Sequence, residues 1–513
     1  MAKVLKPIGV VASGSKSFYA PVLVYKDAER FLREESLAFI RDRVTGKQYL
    51  GLIRWLSKID PLLPATQRSG VVDNPRLAEI ATNIPFETSY VRIIGEISSG
   101  RLEPPVDPPT PRSEVLLVES PEDLALEVGE GLTIGEHKYS GVKIPLNPRY
   151  LPYHIGVVGA TGTGKSRLVK ALIDEVLAKT DWRVIVFDHS GVDYVSYYPH
   201  NVVDASLVMP DPITLGELIS ERSMLERQEE YILATVYAYI ASFKRTSATA
   251  TTHGPQRVDK ALSSSGTSFA CSMRFTEGLD FTNAEKLMTE ITWDIHLFRK
   301  CVERVGKEFE AKDPTVAKMS LLVGTYSKEL IESLNEKKLT ARDAVDRALR
   351  ERLVVIDLSS VEIVVRRYIV KSVLDELWKL VDERGERPRT LVIVDEAHNY
   401  ACMGCGASLR SIERTAREGR KWEIGLVLAS QRTIDFSTDI RNNINTFYFS
   451  RLQTPGDFEN LRGVLDLGGL GPESLSVLGI REFFFAGLGN PLRFPILIRV
   501  REVGEPTLGG RAA

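Results

Sequence analysis

The chain has 513 residues, 43% hydrophobic and 26% charged, with a formal net charge of −2. That length allows several domains at about 150 residues each, and the charge excludes a protein that is basic all over, so any nucleic-acid surface must be local. No apolar run approaches the roughly 18 residues a membrane span needs, the N-terminal stretch MAKVLKPIGVVASGSKSF lacks a secretory core, and four cysteines are too few for a disulfide scaffold; a cytoplasmic protein without a membrane segment is expected.

Residues 1–103 read as a small β-barrel. Ile8–Val11, Tyr49–Ile53 and Tyr90–Gly95 are short β-rich runs, with a turn at Val44–Lys47, and closure of such strands removes their edges. Residues 104–144 begin with the proline-dense PPVDPPTPR and read as a stiff linker with lead-in strands.

The period changes at about residue 145. Ile155–Val158, Val184–Phe187, Leu353–Ile356, Leu391–Val394, Ile424–Ala429 and Thr446–Ser450 are continuous apolar stretches, the pattern of parallel strands buried on both faces. Between them lie helices, of which the stripe Ile369, Val370, Val373, Leu374, Leu377, Trp378 and Val381 is the clearest. The expected fold is α/β: a RecA-like P-loop core with a mostly parallel sheet, divided into 145–210 and 351–480 by a helical insertion at 211–350. The insertion shows helical runs at Leu218–Ala241, Asn283–Arg304 and Ala317–Leu334; its Ser/Thr-rich segment 244–268 reads as a solvated connector or, through Lys244, Arg245 and Arg257, as a loop touching DNA. Residues 481–513 read as a β-hairpin, Glu482–Gly487 and Phe494–Arg501, with a tail.

Four motifs carry chemistry. Gly159–Ser166, GATGTGKS, follows a strand and opens a helix. Its glycines let backbone N–H groups curl around phosphates at a helix N-terminus. The expected nucleotide contacts are Gly159, Thr161, Gly162, Thr163, Gly164, Lys165, Ser166 and Arg167, with Lys165 reaching the β- and γ-phosphates and Ser166 binding Mg2+. LVIVDEAH puts Asp395 and Glu396 at the carboxyl end of a strand: Asp395 to hold the metal, Glu396 to polarise the attacking water. Gln431 ends a third strand, where it can contact the γ-phosphate or the water. Thr415–Lys421 packs cations, and an arginine supplied by a neighbouring subunit is a common device in phosphoryl transfer; Arg420 comes first, Arg417 second and Arg451 third. Asp188 and Asp357 also end strands, supporting the site or capping the next element. Cys402-Met-Gly-Cys405 lacks further zinc ligands and reads as a neutral loop.

HIGVVGATGTGKS (154–166), VIVFDHSGVDY (184–194), LVVIDLSS (353–360), VDEAHNY (394–400), AREGRK (416–421) and LASQR (428–432) occur in an order that resembles the HerA family, within the HerA/FtsK group of P-loop motors, and the N-terminal region resembles its HAS barrel. The chain departs from the family pattern at Tyr153, where Arg is frequent, and in HSGVDY, where PHGEY is common. The resemblance implies an ATP-hydrolysing homohexamer that moves along double-stranded DNA, using ATP and Mg2+ and acting with a NurA-like nuclease in end processing and recombinational repair. It makes Gln431 a sensor and Arg420 a finger acting in trans. The same core also drives protein remodelling and secretion, and a paralogue with another partner would share these motifs. A scaffold that binds nucleotide without turnover would not need Glu396.

Overall fold

The computed structural model describes residues 5–61, 63, 76, 86–124, 126, 128–250, 270–281 and 284–504. The chain forms two compact units, one of Met1–Trp182, Arg389–His398 and Thr415–Glu505, the other chiefly of Arg183–Pro388 and Asn399–Arg414.

In the first unit the chain opens with β1 (Lys6–Val11), β2 (Tyr19–Val24), β3 (Leu37–Arg41), β4 (Gln48–Ile59), β5 (Phe86–Ser98), β6 (Arg101–Glu103) and β7 (Glu114–Leu117). Every pairing among them is antiparallel. The order β2-β1-β7-β3-β4-β5, with β5 pairing back to β2, closes a barrel. Its interior is built by period-two alternation: Ile8, Val22, Ile40, Ile53, Val91, Ile93 and Val115 all point inward. The strand that completes the ring, β7, lies beyond the proline-dense stretch, in the region expected to hold a linker and lead-in strands, and belongs to the barrel.

Arg54 fastens this barrel to later parts of the same unit. It is 2% exposed. Its guanidinium meets Glu35 at 2.9 and 3.1 Å and donates to the carbonyls of Leu467 (3.3 Å), Gly468 and Pro495 (3.4 Å). Burial pushes the Glu35 carboxyl up from its ordinary value, against the pull of Arg54. Such a pair is costly to break from one side, because the survivor is left charged and buried.

The remaining strands are β8 (Gly135–His137), β9 (Ile155–Val158), β10 (Arg183–Asp188), β11 (Val202–Asp204), β12 (Leu353–Asp357), β13 (Thr390–Val394), β14 (Ile424–Ser430), β15 (Thr446–Phe449), β16 (Glu482–Gly487) and β17 (Ile496–Val500). Within the first unit the order is β13-β14-β9-β15-β16-β17-β8. The pairings from β13 to β15 are parallel and the rest antiparallel. Every residue of β13, β14, β9 and β15 is buried, as strands covered on both faces require. The register pairs Val394 with Leu428, Ser430 with Val158 and Val158 with Phe449. The carboxyl ends of four parallel strands therefore reach one edge together, the edge where α/β sheets bind ligands.

The second unit holds β11-β12-β10, all parallel, and a helical layer. Its helices, among them Pro212–Arg222, Glu229–Ala250, Ile295–Glu308 and Asp313–Tyr326, pack around Ile219, Tyr239, Trp293, Phe298, Met319 and Val323. The long runs expected there are interrupted. Leu218–Ala241 breaks after Arg222, where Met224 takes φ 54°. Asn283–Arg304 breaks before Asp294, whose carboxylate caps a new helix by accepting from Leu297 N–H at 2.8 Å. Ala317–Leu334 breaks at Ser327. The Ser/Thr-rich segment is helical as far as Ala250; residues 251–269, including Arg257, lie outside the described residues. The apolar stripe on the helix Ile363–Arg384 is buried throughout, and that helix stops at Gly385, φ 64°.

The cysteines correct the sequence reading. Cys271 pairs with Cys301 and Cys402 with Cys405, so the CxxC expected as a neutral loop closes its own turn, and the Cys271–Cys301 pairing is marked by no motif. No helix of the described residues is long and apolar enough to cross a membrane.

Candidate active site

The phosphate loop is shaped by two left-handed glycines. Gly162 has φ 80° and Gly164, the N-cap of the helix Lys165–Lys179, has φ 100°; both conformations strain any residue with a Cβ. The loop is pinned from three sides: Gly159 N–H donates to the Ser430 carbonyl at 3.3 Å, Ala160 N–H to the Arg451 carbonyl at 2.7 Å, and Arg481 N–H to the Thr163 carbonyl at 2.8 Å. Thr163 Oγ1 donates to the Ala160 carbonyl at 2.8 Å. The buried Lys165 folds onto its own loop, Nζ donating to the Gly159 carbonyl at 2.9 Å and reaching that of Ala160 at 3.5 Å. A cation held by carbonyls at the mouth of a helix N-terminus, beside left-handed glycines, is the cradle that a triphosphate fits. Ser166 is half-buried beside Lys165, Thr161 and Gly162 are exposed on the outer turn, and Arg167 is exposed in the first helical turn.

Asp395 and Glu396 follow β13 directly. Asp395 is 3% exposed; Glu396 is half-buried and takes φ 44°, a conformation that non-glycine residues adopt rarely and chiefly at functional sites. His398 Nδ1 lies 3.2 Å from Glu396 Oε2. This contact holds the Glu396 carboxyl below its ordinary value, with Lys165 and Gln431 adding to it against the opposing effect of burial. Gln431, the residue after β14, turns Nε2 toward Glu396 at 3.4 and 3.5 Å. Its Oε1 accepts from Thr161 Oγ1 and from Gln453 Nε2, each at 3.2 Å. One amide thus links the phosphate loop to the acidic strand end. Ser166 and Asp395 supply oxygen donors of the hard kind that Mg2+ selects; such an ion neutralises phosphate charge.

Arg420 and Arg417 are not brought to this edge. They precede β14, whose seven residues separate them from Gln431 by about 20 Å at roughly 3.3 Å per residue. Arg420 lies over the Tyr153 ring, 4.2 Å from its centroid, and Arg417 Nη1 reaches Asp439 at 3.4 Å. Beneath them His154, 1% exposed, has Nε2 3.0 Å from the Ala416 carbonyl, while its Nδ1 accepts from Leu426 N–H at 3.0 Å. Burial pushes this imidazole down to about 4. Arg451, by contrast, sits on the phosphate-loop side, through the carbonyl that Ala160 engages.

Asp188 belongs to the second unit and is fully buried. It accepts backbone N–H bonds from Ser190, Gly191, Tyr194 and Val195 at 2.7–3.1 Å, so it shapes the turn after β10. Asp357 does the same for Ser359 at 2.9 Å. Sequence reasoning missed Gln453, Arg481 and the contact of His398. His398 stood inside a recognised motif; Arg481 and Gln453 have no local signal beyond being polar residues near strand ends.

Residues 132–377 match the family model for the central domain of helicase HerA. The DNA double-strand break repair helicase HerA of Sulfurisphaera tokodaii is 24% identical over 96% of this chain and 92% of that protein. Its namesake from Pyrococcus furiosus is 24% identical over 91% and 87%. Among solved structures, VirB4 of Thermoanaerobacter pseudethanolicus aligns with a TM-score of 0.47 at 16% identity, covering 73% of this chain and 97% of that one. The plasmid coupling protein TrwB with ADP and Mg2+ aligns at 0.46 and 14%, covering 74% and 92%.

Proposed function

We propose that this chain, whose residues 132–377 match the central domain of helicase HerA and which is similar to HerA helicases over most of its length, is an ATP-driven motor on double-stranded DNA, working as a ring of six identical subunits with a NurA-like nuclease at DNA ends. The observation that carries the proposal is the shared edge of β13, β14 and β9. Gln431 touches Glu396 there and, through Thr161, the loop that carries Lys165, and a triphosphate needs a cation, a base and a sensor at one place.

In this reading Lys165 leaves the loop carbonyls for the β- and γ-phosphates. Ser166 and Asp395 would hold Mg2+, which would neutralise phosphate charge. Glu396, kept ionised by His398, accepts the proton of the attacking water, and Gln431 orients that water. Arg420 or Arg417, on the far edge of the sheet, has its use on a neighbouring subunit's nucleotide.

The test is the ATPase rate of wild type and Lys165→Ala with and without linear duplex, alongside the mass of the assembly. We expect duplex to stimulate wild type, and Lys165→Ala to lose turnover by roughly 10²-fold or more while the ring persists. Full activity in Lys165→Ala, or an unchanged rate across duplex lengths, contradicts the proposal.

A further inference from the structure

Gln431 has an amide with one accepting and one donating end, and its three neighbours decide which way it faces. Its Nε2 lies 3.4 and 3.5 Å from the two carboxyl oxygens of Glu396, so the donating end faces that carboxyl. Oε1 then needs donors and finds two, Thr161 Oγ1 and Gln453 Nε2. Thr161 is an exposed phosphate-loop residue, placed where an arriving nucleotide competes for its hydroxyl. Gln453 lies outside the loop, in the segment between β15 and the helix Pro455–Val464.

Gln453 is exposed; the backbone on either side of its contact is tied down by Asp457, which is fully buried. Asp457 Oδ1 accepts from the N–H groups of Thr433 (2.9 Å) and Ile434 (3.3 Å) and from Thr433 Oγ1 (3.2 Å). Its Oδ2 accepts from Thr454 Oγ1 at 2.7 Å. One buried carboxylate therefore ties the segment that follows Gln431 to the residue that follows Gln453, and sets the spacing of the two amides.

We propose that Gln453 is a positioning residue for ATP hydrolysis: it holds the Gln431 amide in the orientation that presents its NH2 group to Glu396. The inference rests on the reading of Gln431 as the γ-phosphate and water sensor, and it deepens that reading by naming what keeps the sensor aligned once nucleotide engages Thr161. Gln453 itself touches neither substrate nor base; it acts through Gln431.

The chemistry distinguishes two substitutions. Gln453→Ala removes a donor and leaves Gln431 free to turn. Gln453→Glu puts an acceptor where the donor stood, so that Nε2 of Gln431 is drawn away and Oε1 is turned toward the Glu396 carboxylate. A role confined to packing would rank the two the other way, because Glu keeps the size of Gln.

The experiment measures kcat and KM for ATP with wild type, Gln453→Ala, Gln453→Glu, Gln431→Ala and the double variant Gln431→Ala/Gln453→Ala, each checked by thermal unfolding. For Gln453→Ala we expect kcat to fall by about tenfold, the size of one lost hydrogen bond, with KM within about twofold. Gln453→Glu should fall further, and the double variant should match Gln431→Ala, since two residues acting as a unit are not additive. An unchanged kcat in Gln453→Ala, a loss in Gln453→Glu smaller than in Gln453→Ala, or a Gln453 loss that persists in the Gln431→Ala background overturns the inference. If Gln431→Ala loses turnover and Gln453→Ala does not, the sensor reading stands and the inference alone falls. If Gln431→Ala keeps full turnover, the sensor reading falls and takes the inference with it.

Discussion

The two ends of the same parallel strands in the first unit are built differently. At the carboxyl edge, Thr161, Gln431, Glu396 and His398 touch through side-chain contacts of 3.2–3.5 Å, long enough to be exchanged for a ligand. At the amino edge, His154 is clamped between Ala416 and Leu426, with the exposed Arg420 resting on Tyr153 above it. The first edge is a half-open polar network; the second is a closed platform presenting a cation outward. A guanidinium stacked on an aromatic ring keeps its charge while losing freedom, which suits a group that has to meet another molecule in a fixed pose. Under the proposed function, distance along one strand separates what a subunit does for its own nucleotide from what it offers to a neighbour.

The comparison breaks most readily at Arg420. An arginine acting in trans is worth roughly 10³-fold or more in turnover, so Arg420→Ala is expected to be nearly inactive. Mixing it with Lys165→Ala subunits should then restore part of the activity, because an Arg420→Ala subunit keeps its phosphate loop and can receive the arginine of a Lys165→Ala neighbour. No recovery in the mixture, with both variants assembling, would place the arginine's action within one subunit, against the geometry of β14.

Glu396 sharpens the other edge. Glu396→Gln is expected to lower kcat on the order of 10²-fold, the usual contribution of a general base. The carboxyl is held below its ordinary value first of all by His398, so the acid limb of the kcat profile should lie below the ordinary glutamate range of about 4.3. His398→Ala should move that limb upward. An acid limb that stays put in His398→Ala would remove His398 from the account.

The smallest effect concerns the closed platform. His154 titrates at about 4 in the fold against about 6.5 in an unfolded chain. Its folded pKa is depressed, so between those values the unfolded chain binds the extra proton, and the stability that neutral His154 contributes is lost as pH falls from about 6.5 toward 4. His137, buried and also at about 4, adds to the same slope. Thermal unfolding across that window should show His154→Gln with a shallower loss than wild type; parallel curves would show that His154 does not contribute.

What the sequence made legible follows from this division. The phosphate loop and the acidic strand end were readable because their chemistry is local: glycines next to a helix start, carboxylates next to an apolar run. The parallel core was readable because strands covered on both faces are apolar throughout. Contacts between distant segments left no such trace. Arg54 finds Glu35 and the carbonyls of Leu467, Gly468 and Pro495 only in the folded chain, β7 completes the barrel from beyond a proline-dense stretch, and Gln453 reaches Gln431 from a different strand end. The helical breaks at Met224 and Asp294 were hidden because hydrophobic spacing continues across them while the backbone does not.

The central claim is that nucleotide is gripped and cut where the phosphate loop meets Asp395, Glu396 and Gln431. The most direct measurement is the structure of the full chain with a non-hydrolysable ATP analogue and Mg2+. The account expects the phosphates against Gly162–Ser166, Lys165 Nζ moved from the Gly159 carbonyl to a phosphate oxygen, and Glu396 and Gln431 facing the terminal phosphate. A nucleotide bound elsewhere, or Lys165 still on its own loop with the analogue present, would contradict it.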